Sequence, residues 1–491
     1  MNKPLRHLAL VALVMFALLF GSTSYVQYFS AQSLRDNPLN SRTLQQELGR
    51  ERGPILLADG RVVASSMPSE SSTYDYQRVY GGDGVDPAMY SAVTGFFSVV
   101  YGPSGLEQAE NSMLAGTDDA MFYRNLTHYL TGQEPPGAAV QTTINPAVQE
   151  AAWNGMGGQR GAAVALDPRT GEVLAMVSTP GFDPNSLASH SHDTATQAYQ
   201  ELLGAESRPL YNRAIGGNLY PPGSTFKLIT AAAALESGQY TPETELDAPT
   251  TLELPLTTAT IRNAGGAVCG SGGRATLQHS LMVSCNTSFA AMGMELGDQA
   301  LREQAEAFGF DEGFTMPLRV TASSFPDELN APQLAQSSIG QYEVRATPMQ
   351  MAMVAAGIAN DGVVMQPNLV SSVVDSTSLD VISDPSPREM SRAVSPETAQ
   401  QLTEMMTTVV ESGTGTAAQI PGVDVAGKTG SAQHAQGAAP HAWFTAFAPA
   451  DDPQIAVAVV VESGGDAGSE ASGGRVAGPI AKAMIEAMVN S

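Results

Sequence analysis

Three short motifs contain the residue types that could carry out acyl transfer. Ser224 and Lys227 form a Ser-x-x-Lys motif, Ser284 and Asn286 flank a cysteine, and Lys428 begins a Lys-Thr-Gly run. A serine hydroxyl is a poor nucleophile until a neighbouring base takes its proton. A lysine amine can be that base only if burial or a nearby cation lowers its pKa. The motifs therefore predict a serine nucleophile that is activated by a lysine.

The chain around Ser224 predicts that its hydroxyl lies at the start of a helix. A Pro-Pro-Gly run, 221–223, breaks the chain, and the helix-prone stretch 228–236 follows. The spacing of three residues places Lys227 on the same helix face as Ser224. The backbone N–H of Ser224, together with that of Ser431, could form an oxyanion hole.

The Lys-Thr-Gly run lies in a stretch, 423–433, that reads as a β-strand with small residues at its end. Gly427 and Gly430 would leave room for another backbone, so an extended peptide could add alongside. Lys428 and Thr429 would then meet the terminal carboxylate of that peptide.

The second motif lies in a helix-rich region, 277–296. Ser284 could pass a proton to a leaving amine, and Asn286 could hold a substrate amide. Each motif taken alone has a simpler explanation: an exposed helix start, a pair of helix caps and an unrelated edge strand. The three motifs in this order are far more specific than any one of them.

Length and charge limit the classes of protein. With 491 residues the chain predicts two or more folded units. The formal net charge of −25 argues against nucleic acid as a partner. We expect no cofactor and no metal site, because His434 and His441 have no acid or thiol at ligand spacing.

The N-terminus predicts a membrane anchor. Lys3 and Arg6 precede a strongly apolar run, 8–20, and aromatic residues prolong its apolar character to about residue 28. About 20 residues suffice for a helix to cross a bilayer. Basic residues before the span place a cytoplasmic tail, 1–7, inside and the bulk of the chain outside. The alternative is a cleaved signal peptide.

The cysteines, Cys269 and Cys285, permit a disulfide in an exported chain. A bridge would restrain the loop of the second motif. Two separate buried thiols are the alternative.

The element pattern predicts an α+β fold. Hairpins are predicted for 161–177 and for 443–461, so the sheet is antiparallel. A helix is predicted to begin at Pro396, and a last helix at Pro479. We expect an N-terminal domain, 30–140, after the anchor at 8–28, and then a catalytic domain, 141–491.

The combined pattern resembles class B penicillin-binding proteins, the single-pass D,D-transpeptidases of bacterial cell-wall synthesis, and looks most like the actinobacterial penicillin-binding protein A group. The resemblance covers most of 140–490. Besides the three motifs, it rests on 164–176, 182–185, 212–214, 339–341, 413–415 and 443–444. Arg52-Gly53 and 105–107 resemble the family's N-terminal pedestal more weakly. The resemblance implies the penicillin-binding transpeptidase fold, with an all-helical subdomain and a small pedestal or dimerisation-like domain.

The resemblance also implies a role for each motif. Ser224 would be the acylated nucleophile and Lys227 its general base, while Ser284 and Asn286 would serve proton transfer and substrate positioning. The remaining site residues would bind the carboxylate and line the cleft: Lys428, Thr429, Gly430 and Ser431.

The implied reaction is attack on the D-Ala-D-Ala amide of a peptidoglycan stem peptide, release of D-Ala, and transfer of the acyl group to a neighbouring amine. β-Lactam antibiotics would stall at the acyl-enzyme. A membrane glycan polymerase and division or elongation proteins would be partners.

Two departures from the family pattern are visible. Cys285 stands where the second motif has Asp in the Ser-Asp-Asn version, and Ser431 stands where Thr is commoner. Three rivals remain: a D,D-carboxypeptidase, a β-lactam sensor and a class A β-lactamase. The last would need a glutamate where Pro326 precedes Asp327-Glu328-Leu329-Asn330.

Overall fold

The structure, a computed structural model, describes residues 3–30, 34, 50–69, 74–121, 130, 136–217, 219–435 and 437–490. Parts of the predicted N-terminal domain and the first two residues of the predicted tail lie outside the described residues.

The α-helices are α1 Lys3–Ser24, α2 Pro87–Thr94, α3 Gly105–Ala109, α4 Asn111–Leu114, α5 Pro146–Met156, α6 His192–Gly204, α7 Lys227–Glu236, α8 Leu277–Met282, α9 Asn286–Leu296, α10 Asp298–Ala307, α11 Ala331–Ser337, α12 Pro348–Ala359, α13 Pro396–Glu411 and α14 Gly473–Val489.

The β-strands are β1 Ile55–Leu56, β2 Val62–Pro68, β3 Tyr76–Tyr80, β4 Phe97–Ser98, β5 Gly102–Pro103, β6 Ala139–Thr142, β7 Gly161–Leu166, β8 Val173–Thr179, β9 Glu245–Asp247, β10 Thr251–Glu253, β11 Thr260–Arg262, β12 Arg274–Thr276, β13 Phe314–Thr315, β14 Arg319–Val320, β15 Val363–Met365, β16 Val370–Val374, β17 Val381–Ser383, β18 Glu389–Arg392, β19 Ala426–Ala432, β20 His441–Ala448 and β21 Ile455–Val461.

The core of the catalytic region is a five-stranded antiparallel sheet in the order β19-β20-β21-β7-β8. Alternate residues of β21 belong to different apolar clusters. Ala458 and Val460 pack with α12, whereas Val457 and Val459 pack with α5 and α14. Every residue of β21 is buried, because helices cover both faces of the sheet. The predicted α+β fold and both predicted hairpins are confirmed.

Helix α7 packs against α9, α10 and α13. Its first nine residues are all buried, including Lys227. The predicted helix at Pro396 is also confirmed: Ser395 caps it by accepting a hydrogen bond from Thr398 N.

The predicted start of the last helix is wrong. α14 begins at Gly473, and Pro479 lies inside it. Ser472 caps the helix by accepting from Arg475 N. Proline is favoured in the first turn because its missing N–H costs nothing there. Here the lost hydrogen bond is offset by packing of α14 on β20 and β21, which sequence rules do not include.

A second, six-stranded sheet has the order β17-β16-β6-β1-β2-β3. β1 runs parallel to β6, and β16 pairs antiparallel with the other side of β6. Two strands from 370–383 thus complete a sheet that is otherwise built from the first 142 residues. The N-terminal region and the catalytic region therefore share backbone hydrogen bonds.

Helix α1 continues as a π-helical turn, Tyr25–Phe29, and none of its residues is buried. The stretch Lys3–Phe29 is long and apolar enough to cross a membrane. It fits a single-pass anchor.

Cys269 and Cys285 form a disulfide. The alternative of two separate thiols is therefore wrong. On the chain-entropy model, a bridge across a sequence separation of 16 stabilises the fold by about 3 kcal/mol. The bridge ties the loop of the second motif to the β-strands that precede it.

Candidate active site

Contacts with Gly340 and with β20 hold the turn that carries Ser224 in place. It is a 3₁₀ turn, Gly223–Phe226, that leads directly into α7. Gly223 has φ +55°, and a side chain on Gly340 would collide with the Gly223 carbonyl. Trp443 Nε1 donates to Pro221 O at 3.0 Å, which anchors the turn on β20. The side chain of Ser224 is half-buried.

Strand β19 passes close to the same turn. A Cβ added to Gly430 would lie 3.0 Å from Pro222 O, so only glycine fits without displacement. Among the described strands, β19 is the outer one of its sheet, so none of them pairs with its other edge. Ser431, whose side chain is exposed, follows Gly430 on this strand. The predicted strand is confirmed, with ends at Ala426 and Ala432.

Lys227 is fully buried, and it joins the first motif to the second. Its Nζ donates to Ser284 O at 2.7 Å, to Asn286 Oδ1 at 2.8 Å and to Ser284 Oγ at 3.3 Å. Three donated hydrogen bonds describe the protonated amine, whereas a neutral amine has two N–H donors and one lone pair. Among the described residues, the contacts of Lys227 Nζ go to the second motif rather than to the Ser224 hydroxyl.

Lys428 connects the third motif to Ser284 of the second motif. Its Nζ donates to Ser284 Oγ at 2.9 Å and to Thr429 O at 2.9 Å. Ser284 lies between the two amines and has φ +59°, a strained conformation for a residue with a side chain. In this backbone conformation the Ser284 hydroxyl lies within hydrogen-bonding distance of both Lys227 and Lys428.

Burial changes the protonation of both amines. Burial lowers the pKa of Lys428 to about 7. Burial, and secondly the charge of Lys428, lower the pKa of Lys227 well below its usual value. Both shifts favour the neutral form of the amine over the charged form. A neutral Lys227 has a lone pair, which is what a general base requires.

Thr429 has a partner that the sequence analysis did not place in the site. Thr429 Oγ1 and Thr414 Oγ1 are 2.6 Å apart and share a hydrogen bond. Thr414 follows α13 in the Gly-Thr-Gly run 413–415, so the family resemblance of that run was the available signal.

The side chains of Asp327 and Asn330 make contacts outside the three motifs. Asp327 is exposed and pairs with Arg302. Asn330 caps α11.

A buried ionic cluster supports the residues just before the nucleophile turn. Glu462 Oε1 accepts from Arg213 Nε and from Tyr220 OH, each at 2.8 Å, and Arg160 bonds the other oxygen. Burial alone would raise the pKa of Glu462, but hydrogen bonds from these three partners lower it to about 2. Beside the cluster lies a cavity of about 320 Å³, which begins where β19 ends.

We expect Glu462→Ala to destabilise the fold by about 3–5 kcal/mol, because it leaves the buried guanidinium of Arg213 without its counter-charge. The stabilisation should be full above the unfolded pKa of about 4.3 and lost as the pH falls towards about 2. Chemical unfolding of both proteins at several pH values measures this. Asp452→Ala, which removes an exposed pair with Arg169, is the control and should cost at most about 1 kcal/mol. Equal losses in the two variants would contradict the prediction.

Comparisons with known proteins can now be set beside this geometry. Residues 161–486 match the model of the penicillin binding protein transpeptidase domain, and residues 52–140 match that of the penicillin binding protein A dimerisation domain. The chain belongs to the penicillin-binding protein transpeptidase family. The first matched region includes all three motifs.

Relatives of this family resemble the whole chain. A Mycolicibacterium smegmatis protein named peptidoglycan D,D-transpeptidase PbpA is 45% identical over 99% of both chains. Its Mycobacterium tuberculosis counterpart is 43% identical over the same shares. The solved structure of penicillin-binding protein A from M. tuberculosis as a ceftriaxone acyl-enzyme has a TM-score of 0.86 and 42% identity, covering 91% of this chain and 100% of that chain. The penicillin G acyl-enzyme of the same protein has a TM-score of 0.83 and 43% identity, covering 90% and 100%.

Among the described residues, no group of three or more His, Cys, Asp or Glu side chains could hold a metal ion.

Proposed function

We propose that this chain is a peptidoglycan D,D-transpeptidase that forms an acyl-enzyme at Ser224. One observation carries the proposal: two buried lysines, Lys227 and Lys428, share the hydroxyl of Ser284 beside the nucleophile turn. This arrangement can accept a proton and return it within one connected group. The relatives named above bear the same activity in their names.

In the first half-reaction, neutral Lys227 takes the proton of Ser224 as the hydroxyl oxygen attacks the penultimate D-Ala carbonyl. The negative oxygen that forms is stabilised by the backbone N–H groups of Ser224 and Ser431. For Lys227 to accept this proton, its Nζ must exchange one contact with the second motif for one with Ser224.

The leaving D-Ala amine then needs a proton. Ser284 is placed to give its hydroxyl proton, because Lys428 can replace it from 2.9 Å away. In the second half-reaction the same groups act in reverse on the acceptor amine. Asn286 holds Lys227 through its side-chain oxygen, which keeps the base in place during both halves.

The donor peptide is proposed to lie along the free edge of β19. Its terminal carboxylate meets Lys428 and Thr429, and Gly430 lines the cleft by letting the nucleophile turn lie close to β19. β-Lactams occupy the same place and acylate Ser224, in keeping with the acyl-enzyme structures of the M. tuberculosis relative.

The membrane arrangement is a further part of the proposal. Residues 1–7 lie in the cytoplasm, 8–28 span the cell membrane, and the rest lies outside. Residues 30–140 form a pedestal, and 141–491 form the transpeptidase domain. Glycan strands come from a membrane polymerase, in company with division or elongation proteins. The apolar Lys3–Phe29 helix supports the anchor.

Defined stem peptides test the reaction. We expect the purified full-length protein, in detergent, to convert a donor pentapeptide and an acceptor stem into a cross-linked dimer with one D-Ala released per cross-link. Mass spectrometry measures both products. D-Ala release without any dimer would instead indicate a D,D-carboxypeptidase. Acylation by penicillin with neither product would indicate a sensor.

A further inference from the structure

The loop of the second motif leads into a helix that lacks its own cap. Cys285 occupies the N-cap position of α9, and its side chain makes no capping hydrogen bond. Its sulfur is committed to the disulfide with Cys269. In the Ser-Asp-Asn version of this motif the same position is Asp, one of the best N-cap residues. The first N–H groups of α9 therefore need another acceptor.

Asn263 supplies that acceptor from a different part of the chain. Its Oδ1 accepts from Asn286 N at 2.9 Å, from Thr287 N at 3.1 Å and from Thr287 Oγ1 at 3.3 Å. Asn263 is 6% exposed. Its Nδ2 donates to Pro249 O at 3.3 Å and to Ala267 O at 3.1 Å. The oxygen and the nitrogen of the Asn263 carboxamide are therefore both hydrogen-bonded.

The segment that carries Asn263, residues 245–276, contains two antiparallel strand pairs, the hairpin of β10 with β11 and the outer pair of β9 with β12. We call it the β-lobe. It packs against α9 and is joined to the second motif by the disulfide from Cys269. A third connection is direct, because Asn286 Nδ2 donates to Arg262 O at 2.9 Å. The β-lobe therefore holds the second motif at three points.

We propose that Asn263 is a positioning residue for acyl transfer, which caps α9 from the β-lobe and thereby fixes Ser284 and Asn286 against Lys227. This rests on the proposed function, since it concerns the same acylation step. Asn263 touches no reacting atom. It acts through Asn286, whose Oδ1 holds the amine of Lys227 at 2.8 Å.

The first test separates binding from acylation. With full-length protein in detergent and penicillin, Asn263→Ala should lower the limiting acylation rate by about 10- to 100-fold, the scale for a small misplacement of a catalytic group. The penicillin concentration at half of that rate should change little. Asn145→Ala is the matched control, because Asn145 caps α5 through two backbone N–H groups far from the motifs. It should lower the melting temperature and leave the acylation rate unchanged. A wild-type rate in Asn263→Ala overturns the proposal.

The second test restores the cap within the helix. Both backgrounds carry Cys269→Ala, one with Cys285→Asp and the other with Cys285→Ala. Asn263→Ala should cost less than about threefold in acylation rate where Asp provides a cap, and at least about tenfold where Ala does not. Equal costs in the two backgrounds overturn the proposal. If Asn263→Ala does not fold in the otherwise unchanged protein, its effect is measured in the background with Cys269→Ala and Cys285→Asp, where the new aspartate caps α9.

Different results reject the positioning role of Asn263 and the proposed function. Loss of the dependence on Asn263, with Ser224 still acylated, rejects the positioning role only. A wild-type protein that penicillin does not acylate at Ser224 rejects the proposed function itself.

Discussion

Ser224→Ala is expected to abolish covalent labelling by fluorescent penicillin, while the fold persists. The side chain is small and half-buried, and the turn that carries it is held by Trp443 and by close packing with Gly340. Removing one oxygen atom should therefore leave the turn in place and remove the atom that is proposed to be acylated. Labelled protein on a denaturing gel, with circular dichroism for the fold, measures the two expectations.

Ser237→Ala is a suitable control for that experiment. Ser237 follows the other end of α7, and its hydroxyl bonds to Ala234 O. Its replacement should leave labelling at the wild-type level. Undiminished labelling of Ser224→Ala, or an adduct mapped by intact-mass and peptide analysis to another side chain, would reject Ser224 as the nucleophile.

Lys227→Ala is expected to retain noncovalent docking of penicillin but to lose acylation by more than ~10²-fold, the scale of general-base catalysis. Removing the amine deletes the base and leaves Ser284 O and Asn286 Oδ1 without their buried donor. The variant should therefore also be less stable, since an unsatisfied buried acceptor costs about 1–3 kcal/mol. Stopped-flow acylation kinetics separate the binding constant from the chemical rate.

Lys482→Ala provides the corresponding control, because Lys482 is a lysine of α14 whose ion pair, within the described residues, is with Glu486. Its acylation rate should equal that of the wild type. A near-normal rate in Lys227→Ala would mean that another group removes the Ser224 proton, and Lys428 would be the first alternative to test.

Much of the architecture followed from local pattern. The hairpins at 161–177 and 443–461 were predictable because their strands are runs of small, β-branched and other apolar residues on either side of clear turn sequences. The helix at Pro396 was predictable from its cap and its apolar spacing. Pro479 misled the prediction of the last helix, because tertiary packing outweighed a local rule.

Some features of the site also followed from the sequence, and others did not. The residue types of Ser224, Lys227 and Lys428 predicted the chemistry, and their flanking residues predicted a helix start and a strand. The contacts of Lys227 did not follow from its spacing to Ser224. Its hydrogen bonds go to residues of the second motif that lie 57 and 59 positions further along the chain. Such a contact depends on how α7, α8 and α9 pack, which local sequence does not encode.

The sequence by itself determined which groups are available for reaction, the order in which they occur, and the elements that carry them. Only the tertiary structure decided that one hydroxyl, that of Ser284, lies between two buried amines, that Cys285 is bridged, and that Asn263 caps α9. The reason is physical. Periodicity and capping act over one or two turns of chain, whereas a hydrogen bond or a pKa shift in a buried site depends on groups that only the closed core brings within about 3 Å.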